Sequence, residues 1–177
     1  MKKKLGVLAI AILTLAFFWT GYAYGAIEIS VPVMKMSDIS VDLGPDYVFK
    51  EPSAQGNDSN PSGLGVEIDN IKDPEVKNAI LIVSPKDKSM DTIFLGSMFR
   101  SILELGGAEE TNNMTLTGSN GQNVTLHAFN TTESMSTKCE EMFFALWDMD
   151  PMNTCSLIST LDEETTKKIV ETLAIKA

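Results

Sequence analysis

Asp58, Asn60 and Ser62, followed by Gly63 and then by Asp69 in the twelfth place, have the spacing of a calcium-binding loop. Oxygen-bearing side chains at those positions let a chain wrap a hard cation, and the glycine supplies the sharp turn. The run departs from that pattern at Pro61, at an aspartate where a bidentate glutamate belongs, and in strand-like residues where a helix should follow. A solvated polar loop explains the same letters. Met34-x-Met36 and Met149-x-x-Met152 offer thioethers of the kind that bind Cu(I). Ten methionines in an apolar-rich chain, however, mostly fill core gaps and the N-terminal apolar run. Carboxylates such as Asp148 and Asp150 can do acid–base work only where a cleft raises one of their pKa values. His127 is the single histidine, so no triad or histidine–metal cluster can be assembled. No nucleotide loop or other cofactor motif is present in the sequence, and none is expected to be used.

Four asparagines open N-glycosylation sequons: Asn57, Asn113, Asn123 and Asn130. Four among ten asparagines is more than composition alone supplies, and three crowd into one hairpin. Polar strand faces and turns account for the same letters. Cys139 and Cys155 are the only cysteines. A hairpin joining residues 141–147 to 155–159 sets Trp147 opposite Cys155, which leaves Cys139 on the order of 25 Å down the first strand. A disulfide needs its Cα atoms within about 7 Å, so none is expected between Cys139 and Cys155.

The elements that position these residues follow from periodicity. Residues 27–36 are strand-like but interrupted by Pro32, a lead-in or edge strand. Residues 41–50 form two short extended segments around Gly44-Pro45-Asp46, and 51–63, rich in Pro, Gly, Ser and Asn, reads as a surface loop. Leu64, Val66 and Ile68 alternate with polar or small residues, as in a half-buried strand. Residues 79–83, AILIV, suit a central strand covered on both faces.

A first helix is capped by Ser89 or Asp91 and ended by Gly106-Gly107. It groups Phe94, Met98, Ile102 and Leu105 on one face, with Leu95, Phe99 and Leu103 beside them. Between this helix and the next, a hairpin with the three-residue loop Ser119-Asn120-Gly121 pairs Leu116 with Val124 and Met114 with Leu126. That register gathers the apolar residues on one face and leaves His127 on the polar one. A second helix, with Thr160 and Glu163 at capping-box spacing, runs through Lys167, Ile169, Val170 and Leu173.

Strands, a long helix ending in Gly-Gly, a hairpin, the strand FFALW at 143–147, a returning strand and the terminal helix ETTKKIVETLAI at 164–175 make an order that resembles the PsbP-like superfamily. The resemblance covers about residues 38 to 175 and implies an α/β sandwich. In it a mainly antiparallel sheet of about six strands carries helices packed on its faces. It also implies a non-enzymatic accessory or binding role, and it transfers no binding residue.

The address of the chain comes from its first residues. Lys2, Lys3 and Lys4 precede an apolar run at 5–19, and Ala23-Tyr24-Gly25 offers small residues for cleavage before Ala26. Residues 1–25 are therefore expected to be a signal peptide, or an uncleaved anchor that leaves the rest of the chain on the same outer side. A lead-in at 26–37 and one domain at 38–177 follow. Without residues 1–25 the chain holds 11 Lys and Arg against 24 Asp and Glu, a net charge near −13. Such a field repels nucleic acid, and no basic cluster is present to bind an anionic membrane surface. The expected protein is an exported, non-catalytic binding or accessory module of the cell surface or extracellular space, with an envelope or membrane protein as partner. The alternatives are a secreted enzyme using acidic residues and a weak calcium-binding envelope protein.

Overall fold

Leu64, Val66 and Ile68 recur at every second residue, which puts three large apolar side chains on one side of an extended chain. The computed structural model describes residues 39–50, 53–57, 60–74, 76–86, 91–131 and 140–175, and it makes that stretch part of a long strand. In chain order the elements are β1 (Ile39–Ser40), β2 (Tyr47–Phe49), β3 (Ser53–Asn57), β4 (Asn60–Asn70), β5 (Asn78–Pro85), α1 (Thr92–Leu105), β6 (Glu109–Thr117), β7 (Asn123–Asn130), β8 (Glu141–Asp148), β9 (Asn153–Ser159), α2 (Glu163–Thr172) and β10 (Ala174–Ile175). Hydrogen bonds order the sheet β2-β4-β5-β9-β8-β7-β6, every pair antiparallel, and β3 also pairs along β4. β1 and β10 make a separate two-stranded ribbon. The class is α+β, dominated by the antiparallel sheet.

The sheet is larger than expected because part of the supposed loop at 51–63 forms strands. Ala54 pairs with Leu64 and Asn57 with Asn60, with a register shift between Gln55 and Gly56. Gly, Ser and Asn are poor strand formers, but pairing along an existing strand overrides that preference. The signal or anchor at 1–25, the lead-in at 26–37, Asp58 and Cys139 lie outside the described residues. Among the described residues no helix is long and apolar enough to cross a membrane.

α2 covers one face of the sheet. Its Ile169 and Val170 are completely buried, and Leu161 and Leu173 at its two ends are nearly so. They meet Leu64, Val66 and Ile68 of β4 with Leu81 and Val83 of β5 in the main core. Each such side chain contributes about 1.5–3 kcal/mol by leaving water. Thr166 is buried as well, and its hydroxyl bonds that of Ser159 at 2.8 Å. The cap of this helix falls later than its spacing suggests. Asp162 accepts the Thr165 N–H at 2.8 Å, while the Thr160 hydroxyl donates to the Val76 carbonyl and accepts the Asn78 N–H. Thr160 is drawn to the end of β5, so the next acceptor along the chain becomes the cap.

α1 lies on the opposite face. Asp91 caps it by accepting the Ile93 N–H, and Gly107, at φ 97°, ends it. Gly107 N–H donates to Glu104 O and Ala108 N–H to Leu103 O, the bond pair of a Schellman motif. Phe99 and Leu103 bury against Phe129, Met142 and Phe144 in a second, smaller core. The Phe99 and Phe144 rings sit 5.7 Å apart. Of the expected apolar arc, which joins Phe94, Met98, Ile102 and Leu105 to Leu95, Phe99 and Leu103, Phe94 and Leu105 are exposed. The buried line runs through Phe99 and Leu103, at one edge of the apolar arc.

The hairpin of β6 and β7 has the expected register, Leu116 with Val124 and Met114 with Leu126. Gly118 N–H donates to Gln122 O, which leaves Ser119, Asn120 and Gly121 as the loop, with Gly121 at φ 80°. Trp147 pairs with Cys155 across β8 and β9.

Candidate functional site

The two faces are not covered alike. On the α2 face, Ala79, Leu81 and Val83 of β5 are buried; on the α1 face, Ile80 and Ile82 of the same strand are only half-buried. The register carries this strip across the sheet, since Ile80 pairs with Ile158 and Ile158 with Phe144. Ile158 and Leu146 are half-buried too. The expectation of β5 covered on both faces is therefore met on one face only. The cause is the placement of α1, which packs on β8 and reaches β6 but leaves β5 and β4 beyond its edge.

Polar contacts fix that placement. Arg100 Nε lies 3.5 Å from Glu110 Oε2 on β6 and 3.5 Å from Glu104 Oε1 on its own helix. At the other end the Thr92 hydroxyl donates to Asp148 Oδ1 at 2.7 Å. With Arg100 turned to β6, helical geometry turns the opposite flank, Leu95, Met98 and Ile102, toward β9 and β5. Ile80, Ile82, Leu146 and Ile158 form a half-buried apolar strip beside this flank, and Leu146 and Ile158 pack against the α1 core.

Charged groups lie on the same face of the sheet as this strip. Lys50 Nζ sits 2.7 Å from Asp69 Oδ2 and 2.9 Å from Glu67 Oε1 on the β4 side. The Asp69 carboxylate first, and then Glu67, hold the Lys50 ammonium above its ordinary pKa against a smaller opposing desolvation. Asp69 is buried, and its Oδ1 has no hydrogen-bond partner among the described residues. Lys86 pairs with Asp148 where β5 and β8 end. His127 Nδ1 is 2.7 Å from Glu110 Oε1, and its ring centroid is 6.4 Å from that of Phe144. His127 is thus on the polar side of its hairpin but half-buried, because Phe144 and Glu110 close round it.

The candidate residues of the sequence are mostly not brought together. Asp58 is outside the described residues, and only the backbone of Asn60 and Ser62 is described. That backbone and Asp69 belong to one extended strand, β4, so Asn60 and Asp69 stand on the order of 30 Å apart. Asp148 binds Lys86 and Thr92, whereas Asp150 turns to its own loop and accepts the N–H groups of Met152 and Asn153. Met149 is buried and Met152 exposed, so their sulfurs do not converge; Met34 and Met36 are outside the described residues. No group of three or more His, Cys, Asp or Glu among the described residues could hold a metal ion.

Asn113, Asn123 and Asn130 are exposed. In the first two sequons strand alternation turns Met114 and Val124 to the core side and leaves Thr115 and Thr125 out with the asparagines. Of Asn57 only the backbone is described. Cys155 is a buried free thiol, which burial pushes well above the ordinary cysteine pKa.

Sequence reasoning did not find the pairs made by Lys50 and Lys86 or the Arg100–Glu110 pair, because each joins two different elements. The scarcity of charge within α1 was visible and is the signal that survives. Comparison with protein-family models, curated proteins and solved structures found no match.

Proposed function

We propose that this protein is an exported, non-catalytic binding or accessory module of a cell envelope, built as a PsbP-like α/β sandwich, and that its α1 side is the surface through which it works. One observation carries this reading: α1 leaves Ile93, Phe94 and Leu105 at 78, 64 and 88 % exposure in a chain of net charge −10. Apolar side chains gathered on an otherwise acidic surface are characteristic of contact sites. The sandwich reading is supported by helices on both faces of an antiparallel sheet and by the closing strand-then-helix order. The exported address rests on residues 1–25, and mass spectrometry of the native protein should find a chain beginning near Ala26. A non-catalytic role is supported by the carboxylates, since Asp148, Glu110 and Asp69 are each engaged by a cation.

A photo-crosslinking residue at Phe94, with a second at Lys168 on the outer side of α2, tests the reading in the native envelope. Defined protein adducts should form from position 94 and not from position 168. The absence of adducts from position 94, or equal adducts from both, sinks the proposal.

A further inference from the structure

Asn70, Asn120 and Asn153 use their side chains to hold turns. Asn70 Oδ1 accepts the Lys72 N–H at 2.9 Å, Asn120 Oδ1 accepts the Gln122 N–H at 3.0 Å, and Asn153 Nδ2 donates to Asp150 Oδ2 at 3.0 Å. Asn113 and Asn123 do nothing comparable. Both are exposed strand residues, and among the described residues their side chains make no hydrogen bond. Asparagine is a poor strand former, so the fold accounts for neither. Each opens a sequon, Asn113-Met-Thr115 and Asn123-Val-Thr125, and the threonine two places on is exposed and equally unengaged.

The register gathers these four side chains into one patch. Asn113 pairs with His127, Thr115 with Thr125 and Thr117 with Asn123, so the two sequons run antiparallel across one face of the hairpin. Met114 and Val124, their middle residues, turn the other way into the main core. The asparagines stand at opposite corners of the patch, about 14 Å apart at 3.4 Å per residue. β6 is also an edge of the sheet. Edges are usually blunted by charge, proline or a bulge. A register shift lies between Glu110 and Asn112, but residues 111–117 hold neither charge nor proline.

We propose that Asn113 and Asn123 are sites of N-linked glycosylation. The donor is a lipid-linked saccharide, joined through its anomeric carbon to a phosphate oxygen, and a transferase of the export membrane brings the two together. Nδ2 of the asparagine bonds to the anomeric carbon, the carbon–oxygen bond to phosphate breaks, the lipid phosphate leaves with the electron pair, and one amide proton is released. The threonine hydroxyl is the feature by which the acceptor is recognised. Exposure of both members of each sequon gives a bulky saccharide room without disturbing the core. At Asn113 it stands on the uncharged part of the β6 edge and keeps other strands from it. Asn57 and Asn130 do not share the full set of properties: only the backbone of Asn57 is described, and Thr132 lies outside the described residues. The modification depends on the exported address proposed above, where such donors are used.

Mass spectrometry of the protein isolated from its native envelope tests this. Peptides holding Asn113 and Asn123 should each carry an added saccharide mass. Made in the native host, Asn113→Gln and Asn123→Gln should each lower the mass of the intact protein by one saccharide, and the double variant by two. Thr115→Ala and Thr125→Ala should do the same although the asparagine is still present, whereas Thr115→Ser and Thr125→Ser should keep the saccharide. Asn112→Gln, at an exposed neighbour outside any sequon, should change nothing beyond its own residue mass. An unmodified peptide at either position, or a saccharide retained after Thr115→Ala or Thr125→Ala, overturns the proposal. An unmodified chain that begins near Ala26 does so while leaving the exported reading standing. An unmodified chain that keeps Met1 and is recovered from the cytoplasm removes both.

Discussion

The two helices lie on opposite faces of one sheet, and only one of them is finished for water. α2 buries Thr166, Ile169 and Val170 and carries Glu163, Glu164, Lys167, Lys168 and Glu171 on its other sides. Acids in its first turn suit the positive end of the helix dipole. α1 has no acid in its first turn and no base in its last, and it exposes apolar side chains larger than some it buries. Burial explains α2 completely. It explains only the Phe99–Leu103 line of α1, so the rest of that helix answers to something other than the stability of this chain.

Substitutions on the two helices should therefore diverge, and the largest divergence breaks the comparison if it is not seen. Ile169→Ala should cost about 3 kcal/mol, the usual loss for a fully buried isoleucine, while Phe94→Ala should stay within about 0.5 kcal/mol. Urea midpoints at constant m-value measure both. Similar costs would mean that the outer side of α1 supports the fold after all.

The hairpin of β6 and β7 comes next, because its tip is tied to the α2 side: Ser119 Oγ donates to Leu173 O. Gly121→Ala should cost about 1 kcal/mol through its positive φ alone, since a Cβ there meets nothing within 4 Å. Asn120→Ala should cost about as much, because its amide donates to Met149 O and its Oδ1 accepts the Gln122 N–H.

Asp162→Ala, at the start of α2, should cost about 1 kcal/mol at neutral pH. Partial burial works to raise the pKa of Asp162, but hydrogen bonds from the Thr165 backbone and hydroxyl and from Tyr47 outweigh it, and the pKa is lowered. A lowered folded-state pKa gives stability that is fully present above the unfolded value, about 3.9, and is lost as pH falls through the folded value. The gap between wild type and variant should accordingly be constant from pH 7 to 5 and close below pH 4. A gap independent of pH would remove the carboxylate from the capping role. The smallest effect belongs to the Glu163–Lys167 pair on the solvent side of α2. Lys167→Ala should cost about 0.3–0.5 kcal/mol in low salt and nearly nothing at high salt, as thermal melts would show.

What could be read from the sequence was what depends on neighbours along the chain. Gly121 and the apolar alternation fixed the β6–β7 register, and the Trp147–Cys155 pairing followed from one hairpin. Gly106-Gly107 marked the end of α1. The failures were non-local. Thr160 looked like a cap until β5 claimed its hydroxyl, and Ser53–Asn57 looked like a loop until β4 gave it a partner. The expected apolar arc of α1 contains the buried Phe99 and Leu103 but is wider than burial needs, and periodicity alone does not say which part of it meets the sheet. The half-buried state of Ile80 and Ile82 was illegible for the same reason, since both read as core until the edge of α1 is known.

The pairing of β5 with β9 has a kinetic consequence. β6, β7, β8 and β9 follow one another through the sheet as sequential hairpins, and β4 with β5 is another. The β6–β7 and β8–β9 connections are short, whereas ten residues separate β7 from β8 in the chain. The seam that joins the two blocks matches Val83 to Cys155 and must wait for everything between them to be drawn together. Loop-closure entropy rises with the length enclosed, and contacts distant in the chain slow folding more than they affect stability. The pairing of β5 with β9 is therefore expected to be the slowest of the sheet to form, and until it closes the edges of β5 and β9 are open to any other strand that arrives first.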